Sequence, residues 1–405
     1  MEKPTGARGA VLVVPTTNAG QQGPVAALVS TAGWATGARR VLGRSWIVTP
    51  DGVVDPAEAR RRGSAPHLTA PVARGWKQAI PTVAKTAAKD LRQVQRGRRL
   101  HIDGAGPWVG TDLAFVWQRH ELFHTAGIDL ARRLGVPSVL FVPATPIWEA
   151  RRWGVRRPGW AHLAERQGES PSLRGATLVA AGSDEVAEQV VRLGAAEDRV
   201  LITPTGVDLD LFVATLDGTA VRQRLGIADR FVVGWAGSFR RFHALHLAVD
   251  ALVGLEGAVL LLVGDGPERS TIEMLARDRD VDVVSTGVVS HDDLPAHLAA
   301  FDVGLVQASS ADSFHYSPLK VAEYLAAGRA VVAPLVPQLA DRLIDGVEAV
   351  LVPPGDPLAL AEALRSLRDD PERRAEIGLA GRAAAEREWS WDHQIDRIVA
   401  RLHGP

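Results

Sequence analysis

The stretch FVVGWAGSFRRFHALHLAVDALVGLEGAVLLLVGDGP (residues 231–267) carries the fold in its pattern. FVVGWAGS (231–238) reads as a buried strand running into a glycine turn. HALHLAVDALVGL (243–255) reads as a helix, and AVLLLVGDGP (258–267) as a second strand and turn. Strand, helix, strand predicts parallel strands with a covering helix, the repeating unit of a doubly wound sheet. The pattern continues through STIEMLARD, VDVVSTG, VGLVQAS and AVVAPL and ends near Ala385. An amphipathic segment, WSWDHQIDRIVARLHG (389–404), follows with no strand after it.

The same alternation runs through the first half. Val11–Val14, LAFVW (113–117), SVLFVP (138–143) and TLVAAGS (177–183) read as strands, each bounded by Gly, Pro or Asp. Val25–Trp34 and HELFHTAGIDLARRLG (120–135) carry apolar residues near i, i+3, i+4 and i+7, as amphipathic helices do. The expectation is an α/β chain of two Rossmann-like domains. Residues 1–206, with a C-terminal helix at 386–405 packed back on them, form the first, and residues 207–385 the second. Ligands of such sheets bind at the carboxyl ends of the strands. Two facing sheets would put the site between them.

Composition narrows the class. The chain has 405 residues, room for two cores. Its net charge of -1 predicts no global attraction to nucleic acid or membrane. Only five of the 46 basic residues are Lys, so Arg enrichment alone is poor evidence for phosphate binding. The absence of Cys excludes disulfides, thiolate metal sites and a Cys nucleophile. No acidic cluster suggests a metal. The apolar run after Lys3 and Arg8 is too short for a signal peptide, and no run reaches the ~18 apolar residues of a spanning helix. A cytoplasmic protein is the expectation.

The strongest local signal is SFHYSPLKVAEYLAAGRAVVAP (313–334). Ser317, Pro318, Leu319 and Lys320 open a helix, with Pro in the first turn, where its missing N–H costs nothing. A helix start offers free N–H groups and a positive dipole end to an anion, and Lys320 adds a full charge. It is the only Lys after residue 89. Glu323 follows within reach of a ribose diol. The alternative is an ordinary capped helix with a solvated Lys.

This stretch resembles the donor site of glycosyltransferase family 4, retaining enzymes of the GT-B fold. There a Glu-x7-Glu pattern precedes A-x-G-x-x-V-V-A. The second Glu, which holds the donor ribose, corresponds to Glu323. The first falls on His315, a departure that bears on which sugar is held. TPTGVDLDLF (203–212) resembles the family's linker phrase, with Thr205 in place of Asn. VVGWAGSFRRFHAL (232–245) resembles its phosphate loop, with Ser238 and His243 where the family often has Arg and Lys after Gly237. LLLVGDGPER resembles the next strand and turn. STGVVSHDDLPAHLAAFDVGLV (285–306) resembles the base-recognition loop, where main-chain groups of Thr286, Gly287, Val288 and Val289 would read the base. VPPGDPLALAEAL and the WSWDHQ helix complete the order. The resemblance implies a UDP- or GDP-sugar donor, no further cofactor and no metal. Arg240, Lys320, His243 and helix amides would stabilise the departing diphosphate. Solvated loop charges are the alternative for Arg240 and Arg241, and local packing for His243.

The first half would hold the acceptor. Gly20 and Gly23, in NAGQQGP (18–24), would let backbone approach the donor sugar. Gln118, Arg119 and His120 follow a strand, near where relatives often carry a functional His. His120 is therefore a catalytic candidate and Arg119 an acceptor contact, with a structural His as the alternative. VPATPIWEARRWGVRRPGW (142–160) holds three Trp and four Arg. Trp148 and Glu149 are its acceptor candidates. A loop packed on the surface or a membrane-surface patch are the other readings. The expected reaction is sugar transfer to an acceptor, a small natural-product molecule in the favoured version. Exopolysaccharide or lipid-linked glycan assembly is the alternative. A nucleotide-sugar epimerase and a non-catalytic sugar-nucleotide-binding module are the readings from other classes.

Overall fold

A computed structural model of the chain describes residues 8–15, 26–64, 82–314 and 319–404. The chain divides into two compact units, 1–205 with 391–405, and 206–390. Residues 386–390 thus go with the second unit, where the helix Pro371–Glu388 sets its Gly378 against the Gly328 carbonyl and its Gly381 against Leu325.

In the first unit the strands are β1 (Arg8–Val13), β2 (Gly43–Thr49), β3 (Gly52–Val54), β4 (Asp112–Arg119), β5 (Ser138–Val142), β6 (Leu178–Ala181) and β7 (Val200–Ile202). Their order in the sheet is β3-β2-β1-β4-β5-β6-β7. All neighbours run parallel except β2 and β3, which pair antiparallel through Ile47↔Val54. The parallel strands are apolar on both faces, because helices cover both. One covering layer is aromatic: Trp34 lies 5.8 Å from Trp117, 5.0 Å from Phe141 and 5.1 Å from Trp391 between ring centroids. Trp391 opens the final helix, Trp391–His403, and seats on the helix Ala26–Leu42. A Cβ at Gly33 would stand 2.3 Å from the Trp391 ring, and one at Gly37 would stand 2.8 Å from its Cβ. Two glycines one turn apart therefore cut the groove that holds the C-terminal helix on the first unit.

In the second unit the strands are β8 (Phe231–Gly237), β9 (Ala258–Gly264), β10 (Val283–Gly287), β11 (Val303–Leu305), β12 (Ala330–Pro334) and β13 (Val350–Val352). They form one parallel sheet in the order β10-β9-β8-β11-β12-β13. From β8 the chain winds outward to β9 and β10, then returns to lay β11 on the other side. The strand order therefore reverses between β8 and β11, and a crevice opens at their carboxyl ends. The stretch VGLVQAS forms strand only over Val303–Leu305. Among the described residues, no helix is long and apolar enough to cross a membrane.

Candidate active site

The crevice of the second unit is built from three features. The first is the loop after β8. Its Gly237 has φ of +159°, and the chain then passes through Phe239 at φ +43° and Ala244 at φ +49°. Two non-glycine residues in the left-handed region mark a loop held in a costly shape by its surroundings. The turn after β9 does the holding. A Cβ at Gly264 would stand 2.1 Å from the Gly237 carbonyl oxygen, and one at Gly266 would stand 2.0 Å from that of Ser238. The Glu268 amide donates to the Phe239 carbonyl at 3.0 Å. Backbone lies on backbone here, and only glycine leaves the room.

The second feature is the helix Leu319–Ala326, which begins beside this loop. The Lys320 Cε would stand 2.7 Å from a Cβ at Gly237, and its Nζ sits 5.4 Å from the Trp235 ring centroid. Burial lowers the Lys320 ammonium to about 8, with Glu323 opposing the shift. Glu323 itself is buried at 7 % exposure. Burial raises its carboxyl to about 7, against the pull of Lys320. A cation drawn this far out of water is favoured by an anion beside it, and a bound diphosphate would raise its value again. Tyr324, next on the helix, accepts the Ala236 amide at 2.8 Å and so fixes the end of β8.

His243 is different. Its ring packs edge-on to Trp235 at 5.2 Å. Burial first, then the charges of Lys320 and Arg240, push it down to about 2. The imidazole is neutral in the free protein, so any part it takes at a diphosphate is through an N–H donor rather than a charge. Arg240, Arg241 and Ser238 are exposed on the loop. Lys320 is therefore the enclosed cation of the crevice.

The third feature is the end of β10. The Thr286 hydroxyl donates to the Gly287 carbonyl at 2.9 Å, Gly287 turns at φ +74°, and Val288 is 46 % exposed. Val289 packs partly against the core. Leu319 opens the helix, 38 % exposed. His315, Ser317 and Pro318 lie outside the described residues. Among the described residues, no cluster of metal-ligating side chains occurs.

Sequence reasoning passed over Gly264 and Gly266. Their signal was the G-x-G in VGDGP, which was read only as a turn. It also missed Gln307, just past β11. Gln307 is buried at 5 % exposure, and among the described residues neither polar atom of its amide has a partner.

In the first unit two of the acceptor candidates, Arg119 and Glu149, meet at the carboxyl ends of β4 and β5. Burial lowers Arg119 below its usual value, against the carboxylates of Glu121 and Glu149. Burial raises Glu149, against Arg119. The two thus face each other, Arg119 ending β4 and Glu149 on the helix Pro146–Arg152. The Trp148 ring packs against the Val186 and Leu173 cluster, and Arg152 sits 4.5 Å over it. Gly20 and Gly23 lie outside the described residues.

His120 is enclosed, with no exposed side-chain surface. The Ser172 hydroxyl donates to the Glu169 carbonyl at 2.9 Å. Toward His120 Nδ1, 3.2 Å away, it must therefore accept. That places a proton on Nδ1, and Nε2 lies 3.9 Å from a Glu169 carboxylate oxygen. The structure braces this ring inside the first unit and does not present it to solvent.

Over 364 residues the chain is 36% identical to the D-inositol 3-phosphate glycosyltransferase of Xylanimonas cellulosilytica, spanning 79% of this chain and 85% of that one. The family model for glycosyl transferases group 1 matches residues 230–370, the stretch holding all three features of the crevice. The chain belongs to the group 1 glycosyl transferases. It is also 29% identical over 313 residues to the 2-deoxystreptamine N-acetyl-D-glucosaminyltransferase of Streptomyces fradiae, across 74% of this chain and 69% of that one. Among solved structures, Anabaena Alr3699/HepE in complex with UDP and glucose superposes with a TM-score of 0.63 at 18% identity, covering 98% of this chain and 99% of the other. That likeness establishes the GT-B fold for this glycosyltransferase.

Proposed function

We propose that this glycosyltransferase moves a sugar, with retention of configuration, from a UDP- or GDP-sugar to a small polyhydroxylated acceptor, without a metal. The observation that carries the reading is the Lys320 side chain set against Gly237 at the end of β8, with Glu323 one turn further on. A diphosphate fits the first group and a ribose diol the second. The acceptor class is supported by two relatives, named for inositol 3-phosphate and for 2-deoxystreptamine, both substituted six-membered carbocycles.

In front-face displacement the C1–O bond to the leaving phosphate breaks and a C1–O bond to the acceptor forms on the same face. The acceptor's hydroxyl proton passes to the leaving phosphate oxygen. The protein then needs to position both substrates and to neutralise the diphosphate, rather than supply a nucleophile. His315 stands in the sequence where it would meet the donor sugar.

The test is a matrix of UDP-glucose, UDP-N-acetylglucosamine and GDP-mannose against inositol 3-phosphate and 2-deoxystreptamine, read by mass spectrometry. Proton NMR of any product then gives the anomer. The expected result is one productive donor and an axial anomeric bond kept from the donor. An inverted anomer overturns the retaining mechanism. Transfer to phosphatidylinositol in a parallel reaction, with none to either small acceptor from any donor, overturns the small-acceptor reading.

A further inference from the structure

The crevice accounts for a diphosphate through Lys320 and for a ribose through Glu323, but only main-chain groups of β10 face a base. One charged side chain also reaches that end. Arg269 is the first residue of the helix Arg269–Asp278, immediately after the glycine turn that braces the phosphate loop. Its Nε donates to Glu273 at 2.8 Å, and its Nη1 lies 3.9 Å from Asp265. The same Nη1 lies 3.8 Å from the point a Cβ on Gly287 would occupy. Its side chain is 31 % exposed, so its remaining donors are open to a ligand.

We propose that Arg269 is a specificity-determining residue that reads the donor base, selecting a ring carbonyl over an exocyclic amine at pyrimidine C4 or purine C6. The inference rests on the donor-site reading above. A guanidinium has donors only. A carbonyl there accepts a charge-assisted hydrogen bond, while an amine opposes donor with donor and leaves both unpaired. The bond to Glu273 holds the fork in place before the ligand arrives, so little rotamer freedom is lost on binding. Glu273 and Asp265 already balance its charge. Its contribution is therefore hydrogen-bond direction rather than attraction for phosphate. Uracil and guanine meet the requirement; cytosine and adenine fail it.

Calorimetry on the full chain with UDP, CDP, GDP and ADP tests this. The wild type should bind UDP over CDP, or GDP over ADP, by about tenfold or more, the discrimination one directional base contact gives. Which pair shows it names the base. Arg269→Met should bring that pair near equality, mainly by weakening the preferred nucleotide. Arg269→Gln, whose amide can turn either its oxygen or its nitrogen to the base, should do the same. It also decides the matter if the Met variant fails to melt cooperatively. Equal weakening of all four nucleotides in both variants would reduce Arg269 to a general charge and overturn the proposal. An unchanged ratio, or a wild type that binds all four alike, also overturns it while leaving the donor site standing. A wild type that binds none removes the donor site itself.

Discussion

Lys320 is where the chemistry of a single residue is most exposed to test. Its ammonium sits against Gly237 and Trp235, and neutral His243 cannot replace it. Charge grows on the leaving diphosphate in the transition state, so losing this cation should lower turnover more than donor affinity. Lys320→Ala should cost about 10²–10³ in kcat, typical for one removed stabilising group. Lys320→Arg should recover part, since a planar fork replaces a point charge in a tight space. Exposed Arg240→Ala should be milder. Steady-state kinetics on the three variants decide, and near-normal turnover in Lys320→Ala returns that Lys to a structural role. The pair with Glu323 also leaves a trace in stability. The folded value of Glu323 is raised from 4.5 to about 7. Between those pH values the native state holds a proton that the unfolded chain gives up, so stability falls as pH rises through that window. Lys320 is lowered from 10.5 to about 8, so the unfolded chain binds more protons above pH 8 and stability climbs again. Urea melts of the free enzyme should show this minimum near pH 7–8 relative to Glu323→Gln, which lacks the acid limb. Parallel profiles for the two proteins would mean the carboxyl titrates normally.

At the scale of elements, the phosphate loop does not hold its own shape. Phe239 and Ala244 sit in the left-handed region, and the turn after β9 holds Phe239 there through Gly266 and the Glu268 amide. Gly266→Ala would drive a methyl to 2.0 Å from the Ser238 carbonyl oxygen, which is backbone and must move. The expected stability cost is roughly 1–3 kcal/mol. UDP or GDP affinity should fall further than that loss explains, because the cradle itself is displaced. Urea unfolding and calorimetry on the same variant separate the two effects. Undiminished nucleotide binding would show that the turn braces the fold without shaping the site. This coupling was half legible. VGDGP announced a turn, since two glycines around an Asp leave little else. That the turn lies on the loop 27 residues earlier follows from β8 and β9 being neighbours in the sheet. Neighbouring strands put both carboxyl ends side by side.

For the whole molecule, a reaction run on side-chain and backbone charge predicts indifference to chelation. EDTA should leave turnover within assay error, and a loss restored by Mg²⁺ would show that Lys320 and the amides are insufficient. The amino-acid order alone carried the alternation of strand and helix, the division into two α/β units and the helix that holds Lys320 and Glu323. These are local matters of period, glycine and proline, and they survive without knowing what touches what. The match of Glu323 to a ribose-binding pattern was legible for the same reason, because it lies within one short stretch. Tertiary structure alone decided the states of the groups. His243 and Lys320 both looked like cations at a phosphate, and nothing in their spacing told them apart. Enclosure between Trp235, Phe242 and two positive neighbours keeps the imidazole neutral. A stronger intrinsic base in the same surroundings keeps its proton at neutral pH. His120 likewise stood at a strand end, as a functional His would, yet its ring is braced by Ser172 from 52 residues away. Desolvation and distant partners set what a titratable side chain can do, and neither exists until the chain has folded.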